Sequence, residues 1–293
     1  MPSGFAESTI AELAWQRKRG AAMRWSAWGA VVGALFGLVA FAPAAWLAHA
    51  VATATDQRLL LTDARGTIWS GSALPVLTGG PDSRDASALP DRLHWTTGLR
   101  GLALELRARQ ACCINGEMRF DLRPGLGRML VTLLPTAGAT GGAAAGGAPA
   151  AGIVGQWPAA WLAGLGTPWN TLQLSGSLRL TSPGLSVEWV QGRLRFAGEA
   201  QLTIAGAASR LSTLDTLGNY RITVRGDAAS DNTAMLLDTL DGALRLTGQG
   251  QWAAGRLRFR GEARAEEGRE NALDNLLNII GRRQGAVAVI TIG

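Results

Sequence analysis

Two adjacent cysteines, two histidines and one pair of neighbouring acids are the residues of this 293-residue chain whose types could do chemistry. Cys112 and Cys113 stand in "ACCINGE", and neighbours on a strand point to opposite faces. Three arrangements stay open: a vicinal disulfide in a turn, a bond to another chain, or a thiol that is simply buried. The vicinal bridge is the preferred one for an oxidising compartment. A two-sulfur metal site lacks a nearby third ligand. His49 and His94 are too few for a histidine-rich metal site. Glu266 and Glu267 lie in a polar run at a helix start, where solvation and the helix dipole account for them. There is no G-x-S-x-G elbow, no H-E-x-x-H pair and no Gly-rich phosphate loop ending in Lys-Ser/Thr. The chain therefore reads as non-catalytic, with no metal and no cofactor.

The elements around these residues begin with a membrane segment. Residues 26–48, "SAWGAVVGALFGLVAFAPAAWLA", hold no charge over 23 positions, enough at about 1.5 Å per residue to cross a hydrocarbon layer of about 30 Å. Trp25 and Trp28 stand near one end and Trp46 near the other, placed for two headgroup belts. Arg17, Lys18, Arg19 and Arg24 precede the span, so the positive-inside bias puts the N-terminus in the cytoplasm and everything after about His49 outside. A cleaved signal at Ala48-His49-Ala50 is the rival reading. The apolar run is too long for a signal peptide's hydrophobic region and follows a 24-residue polar segment, which favours a retained anchor. Pro43 is placed to kink the helix near its outer end.

After residue 50 there are 24 Arg and 20 acids, a net charge of 24 − 20 = +4 spread along the chain. A nucleic-acid site would need a basic stripe interleaved with stacking aromatics, and none is present.

Past the membrane segment the period is two. "LALELRARQ" (102–110) sets Leu102, Leu104, Leu106 and Ala108 against Glu105, Arg107 and Arg109, as a half-buried antiparallel strand requires. The alternation returns in "EMRFDLR", "LQLSGSLRL", "YRITVRG", "ALRLTG" and "RLRFRGEA". "LRFAGEA" (194–200), "LRLTGQG" (244–250) and "LRFRGEA" (257–263) share a Gly inside the strand, predicting bulges or kinks that curve a sheet. Shared strand-and-turn chemistry explains so short a repeat better than a duplicated module.

Two segments read as helix: "PAAWLAGLG" (158–166), with Pro at its start and Gly at its end, and "ENALDNLLNIIG" (270–281), with Leu273, Leu276, Leu277 and Ile280 on one face. The Gly/Ala-rich run at 135–152 has no side chain able to build a core and reads as a flexible loop or linker. The expected organisation is a cytoplasmic tail (1–24), a transmembrane helix (25–48), a first β region (49–134), the loop (135–152) and a second β region (153–293). The fold class is mainly β, a curved antiparallel sheet with few short helices behind one N-terminal transmembrane helix.

"ARGTIWSGSA" (64–73), with Gly66, Trp69 and Gly71, resembles a stretch that follows the membrane helix in protein N of the bacterial type II secretion system. Ser209-Arg210-Leu211-Ser212 followed by Leu217-Gly218-x-Tyr220-Arg221, and "LLNIIGRRQG" (276–285), resemble further segments of that family, in the same order. The resemblance implies a non-catalytic accessory component of the inner membrane and periplasm, single-pass, contacting other secretion components. By itself, Trp69 is better explained as a core tryptophan in a hairpin than as a partner contact.

In "ASRLSTLDTLGNYRITVRG" (208–226), Leu211, Leu214 and Leu217 recur every third residue, as along a short helical turn. They are expected to cover one end or edge of the sheet, with Ser209 or Ser212 as cap and Arg210 free. A docking site is the alternative. A reading of another class is a periplasmic lipid-binding or lipid-transfer protein resembling the AsmA group, with Leu102, Leu104, Leu106, Leu194, Phe196, Leu257 and Phe259 lining an apolar trough. Alternation alone suits both, because each needs one apolar face.

Overall fold

The alternating segments become strands of one antiparallel sheet. The computed structural model describes residues 26–101, 103–114, 116–134, 152–190, 193–227, 233–253 and 256–293, and the chain forms two units, Met1–Pro43 and Ala44–Gly293.

In the first unit the chain is helical over 26–40 (α1). Trp25 and the tail 1–24 lie outside the described residues, while Trp28 is exposed on α1. The expected continuous helix over 25–48 is interrupted. Phe41 is in a turn, and helix α2 (Ala44–Ala54), which carries Trp46, starts after Pro43. Proline has no N–H to continue a helical ladder, so a helix restarts after it more readily than it runs through it. Among the described residues no helix is long and apolar enough to cross a membrane.

The second unit carries sixteen described strands: β1 (Leu59–Gly66), β2 (Ser70–Thr78), β3 (Ala86–Ala88), β4 (Leu93–Arg100), β5 (Ala103–Arg109), β6 (Met118–Gly125), β7 (Arg128–Leu134), β8 (Gly152–Pro158), β9 (Leu174–Val190), β10 (Arg193–Ser209), β11 (Gly218–Gly226), β12 (Thr233–Asp241), β13 (Leu244–Ala253), β14 (Arg256–Ala265), β15 (Arg282–Gln284) and β16 (Val287–Ile292). Their spatial order is β1-β2-β4-β5-β6-β7-β9-β10-β11-β12-β13-β14-β16-β15, with β3 added beside β2 and β8 beside β9. The strands before and after residues 135–151, which lie outside the described residues, thus share one sheet. β7 and β8 lie end to end along the same edge of β9: Leu133 faces Leu185 and Gly152 faces Ser182. Pro183 stands between those two ladders, where the missing strand hydrogen bond costs nothing. On the β10 side of β9 a bulge falls at the same level, and Ser182 Oγ donates to the Glu199 carbonyl (2.7 Å) there.

The pairing registers carry one apolar face across the sheet. Leu104 faces Leu122, Leu122 faces Val131, Val131 faces Val187 and Val187 faces Phe196. On the other half Val224 faces Met235, Met235 faces Gly250 and Gly250 faces Phe259. Of the residues expected along a trough, Leu104, Leu106, Phe196, Leu257 and Phe259 share this face, and Leu102 and the side chain of Leu194 lie outside what the structure describes.

One end of the face is covered. Leu178, Ile204, Ala207, Tyr220, Leu244, Ala263 and Ala288 of the sheet join Leu217 and helix α4 (Glu270–Ile280) in one cluster. The 3.6-period of α4 places Leu273, Leu276 and Leu277 in that cluster, each at most 1% exposed, and burying a leucine contributes about 1.5–3 kcal/mol. The segment "PAAWLAGLG" is not an α-helix but a 3-10 helix, Ala159–Leu165, ended by Gly166 at φ 78°, followed by the single turn α3 (Trp169–Leu172). A smaller cluster of Ala44, Ala73 and Trp95, with Leu47, Leu61, Ala64 and Leu106 against it, seats α2 at the β1 edge.

The repeated glycines have two roles rather than one. Gly198 sits at φ 104° beside the β9/β10 bulge, as predicted. Gly248 and Gly261 face each other in an unbroken β13/β14 register and produce no bulge; they leave room for the Phe259 ring instead.

Candidate functional site

The first motif stretch, 64–73, forms the β1/β2 hairpin. Gly66 takes φ 89°, a conformation only glycine adopts without strain, and faces Gly71 across the ladder. The tryptophan buried here is Trp95 of β4, 3% exposed. Its ring lies over Gly71, where a Cβ would stand 2.5 Å from Cζ2, and its Nε1 donates to the Thr67 carbonyl (3.2 Å). Trp69 stays half-buried in the turn and ties it through its backbone carbonyl, which accepts from the Thr97 N–H (2.7 Å). Arg92 clamps the β1 bulge: NH1 donates to Asp63 Oδ2 (2.7 Å) and NH2 to the Asp63 carbonyl (2.6 Å). Arg92, then Arg65, hold the Asp63 carboxyl below the usual carboxylate range.

The second stretch, 209–221, closes the covered end of the sheet, but its connection 210–217 between β10 and β11 runs as turns and bends, not as a helix. Local periodicity suggested a helical turn, whereas long-range hydrogen bonds fix the segment. Ser209 Oγ donates to the Leu172 carbonyl (2.6 Å) and accepts from the Leu211 N–H (3.2 Å). Ser212 Oγ does the same with the Ala272 carbonyl (3.3 Å) of α4 and the Leu214 N–H (3.1 Å). Leu217 is buried and Leu211 and Leu214 pack against the main cluster, while Arg210 is exposed. Gly218, at φ 148°, passes close against Asp241 and Gly242. Tyr220 is 3% exposed, and its hydroxyl donates to the Leu244 carbonyl (3.0 Å). Burial pushes its phenol well above the ordinary value of 10.0.

The third stretch, 276–285, buries Leu276 and Leu277 and pairs Arg283 with Asp274 of α4 (2.8 Å), fixing β15 to the covering helix.

Cys112 and Cys113 are joined by a disulfide in the turn after β5, with Cys113 buried and Cys112 exposed. Beside it the polar face of the sheet carries an ion-pair ladder. Glu117 accepts from Arg109 Nε (2.6 Å) and Arg119 Nε (2.8 Å), and Glu105 from Arg107 Nε (2.8 Å). Burial opposes the Glu117 charge, but the two guanidiniums outweigh it and lower the carboxyl's pKa. A hollow of about 650 Å³ opens over Gly98 between Arg100, Arg107 and Arg119, with Glu105 among its walls. Its arginines are paired with acids.

The motif residues therefore do not meet in one pocket. Gly66 and Gly71 hold one hairpin, and Ser209, Ser212, Leu217, Gly218 and Tyr220 hold the covered end. Sequence reasoning missed Trp95, Arg92 and the Glu117 ladder. The only sequence signal for the ladder was the run of Arg and Glu on the polar strand positions. Among the described residues no group of three His, Cys, Asp or Glu is placed to hold a metal ion.

The motif residues thus fasten the turns and the covering helix of one extended antiparallel sheet. The chain belongs to the type II secretion system (T2SS) protein N family, whose model matches residues 57–290. No match was found among curated proteins or among solved structures.

Proposed function

We propose that the chain is a single-pass component of a bacterial inner membrane, N-terminus cytoplasmic and β unit periplasmic, that assembles or stabilises the type II secretion machine through protein contacts. The observation that carries this reading is the family match over 57–290 behind an uncharged run at 26–48 with Arg17, Lys18, Arg19 and Arg24 before it. The partners are other inner-membrane or periplasmic secretion components, and neither nucleic acid nor a cofactor enters. In vivo crosslinking from the β unit is the test. Capture of secretion components supports the assignment, and capture of lipid-transport proteins alone would sink it.

A second reading is favoured by one observation, the apolar face that runs from Leu104 to Phe259 and is covered by α4 and the 209–221 segment at one end of the strands. Such a face can hold acyl chains, as in the AsmA-like alternative. Mass spectrometry of lipid co-purifying with the detergent-extracted chain separates the two readings, since a stoichiometric phospholipid favours lipid binding or transfer.

A further inference from the structure

The end of the sheet opposite α4 presents three exposed apolar side chains, two of them with arginines nearby in sequence. Leu99 is 76% exposed next to Arg100 at the end of β4. Leu126 is fully exposed in the β6/β7 turn between Arg123 and Arg128. Trp189 is 40% exposed at the end of β9, register-paired with the exposed Met129 of β7. These positions lie at one end of the strands: Leu99 faces Leu104, Leu104 faces Leu122, and Pro124 faces Met129. Arg100 and Arg123 are paired with Glu105 (3.7 Å) and Asp121 (2.8 Å), exposed contacts that exchange readily for another anion.

The entry of the chain points the same way. α2 is joined to the start of β1 by the short connection 55–58 and packs along it, so α2 runs back along β1 and Ala44 lies toward Gly66. Gly66 faces Gly71 and Gly71 faces Trp95, after which β4 continues to Leu99. Ala44, the first residue of the β unit, thus lies toward the end of the strands that carries Leu99 and Leu126.

We propose that this end of the sheet docks on an anionic bilayer surface, with Leu99, Leu126 and Trp189 entering the interface and Arg100, Arg123 and Arg128 meeting lipid phosphates. Exposed apolar and aromatic tips flanked by arginine are what an interfacial contact requires. Attraction to the headgroups is screened within about 10 Å at 0.1 M salt, so the arginines act only when this end of the sheet lies against the bilayer. The proposal rests on the membrane-anchored reading only for bringing the chain to a bilayer.

The test is hydrogen exchange of the full chain in lipid nanodiscs of phosphatidylcholine with and without phosphatidylglycerol. Amides around residues 99–101, 124–129 and 189–190 are expected to exchange several-fold more slowly with phosphatidylglycerol, and high salt should remove the difference. Leu126→Asp, or Arg100→Gln, Arg123→Gln and Arg128→Gln together, should bring exchange to the phosphatidylcholine rate; all four positions are exposed, so folding should be unaffected. If the chain stays embedded in both discs and the turns exchange equally, docking is overturned and the anchor stands. If an alkaline wash strips the chain while phosphatidylglycerol vesicles still protect the turns, the anchor falls and docking stands. Crosslinks from position 126 to a protein, with exchange indifferent to lipid, would also overturn the proposal.

Discussion

The ring of Phe259 on β14 lies across Gly248 on β13, in the space a Cβ at Gly248 would occupy. Gly250 and Gly261 complete the seat, where added Cβ atoms would stand 3.0 Å and 2.9 Å from the ring. Phe259 is 8% exposed because three glycines let it lie against the sheet.

Gly248→Ala should therefore lower stability by about 1–3 kcal/mol through overpacking, and Phe259→Ala by about 3–5 kcal/mol. The double variant should cost clearly less than the sum, because without the ring the added methyl meets only the Gly261 Cα, at 3.1 Å. Urea denaturation of the detergent-solubilised chain measures all three. Strict additivity would mean that ring and glycine do not touch.

Tyr220 is the chain's single tyrosine, so its ionisation can be followed without interference. Its folded pKa is raised above the ordinary 10.0 by burial. The unfolded chain therefore releases this proton first, and the associated stability is fully present below pH 10.0 and is lost as pH rises above it. Tyrosinate absorbance should appear together with unfolding rather than at pH 10.0. Tyr220→Phe should remove this alkaline contribution and cost about 1–3 kcal/mol at neutral pH, by leaving the buried Leu244 carbonyl without its donor.

The sheet was legible wherever period two was uninterrupted: "LALELRARQ" and "RLRFRGEA" supplied β5 and β14, with Leu104, Leu106 and Leu257 on one face. α4 was legible because three leucines and an isoleucine kept the 3.6-period. The joining of the regions on either side of residues 135–152 was not, because β7 and β8 meet only through their registers on β9, and a register between distant segments leaves no local pattern. Nor could a local pattern choose between Trp69 and Trp95 for burial, since the choice depends on Gly71 lying opposite Trp95. The 209–217 segment shows the same limit. Its spacing of three is helical, but its geometry is set by carbonyls of Leu172 and Ala272, 37 and 60 residues away.

With the Cys112–Cys113 bond in place, the oxidised chain should run as a monomer on non-reducing gels and resist thiol-directed labelling. Reduction should add two hydrogens to the intact mass and expose both thiols to the label. Cys112→Ser should free Cys113, which is 5% exposed and should react with the label slowly until the chain unfolds. A reductant-sensitive dimer of the native chain would refute the intrachain bridge and point to a covalent oligomer.

Leu217 and Arg210 belong to one motif, and their substitutions should separate folding from docking. Leu217 is 2% exposed, its N–H donates to the Ala207 carbonyl (2.6 Å), and its carbonyl accepts from the Leu244 N–H (3.0 Å). Truncating it removes a side chain from the cluster that α4 covers, so Leu217→Ala should cost about 2–5 kcal/mol. Leu214, only partly buried against the same cluster, should cost less when truncated to alanine. Arg210 is exposed, and Arg210→Ala should leave the melting curve within about 0.5 kcal/mol of the parent. Thermal melts of the three variants, read beside in vivo crosslinking to secretion components, give the decision. Leucine variants that melt early and lose crosslinks only in proportion to their unfolding identify the segment as a cover for the sheet end. A leucine variant with an unchanged melt and no crosslinks would show instead that the segment is an interface.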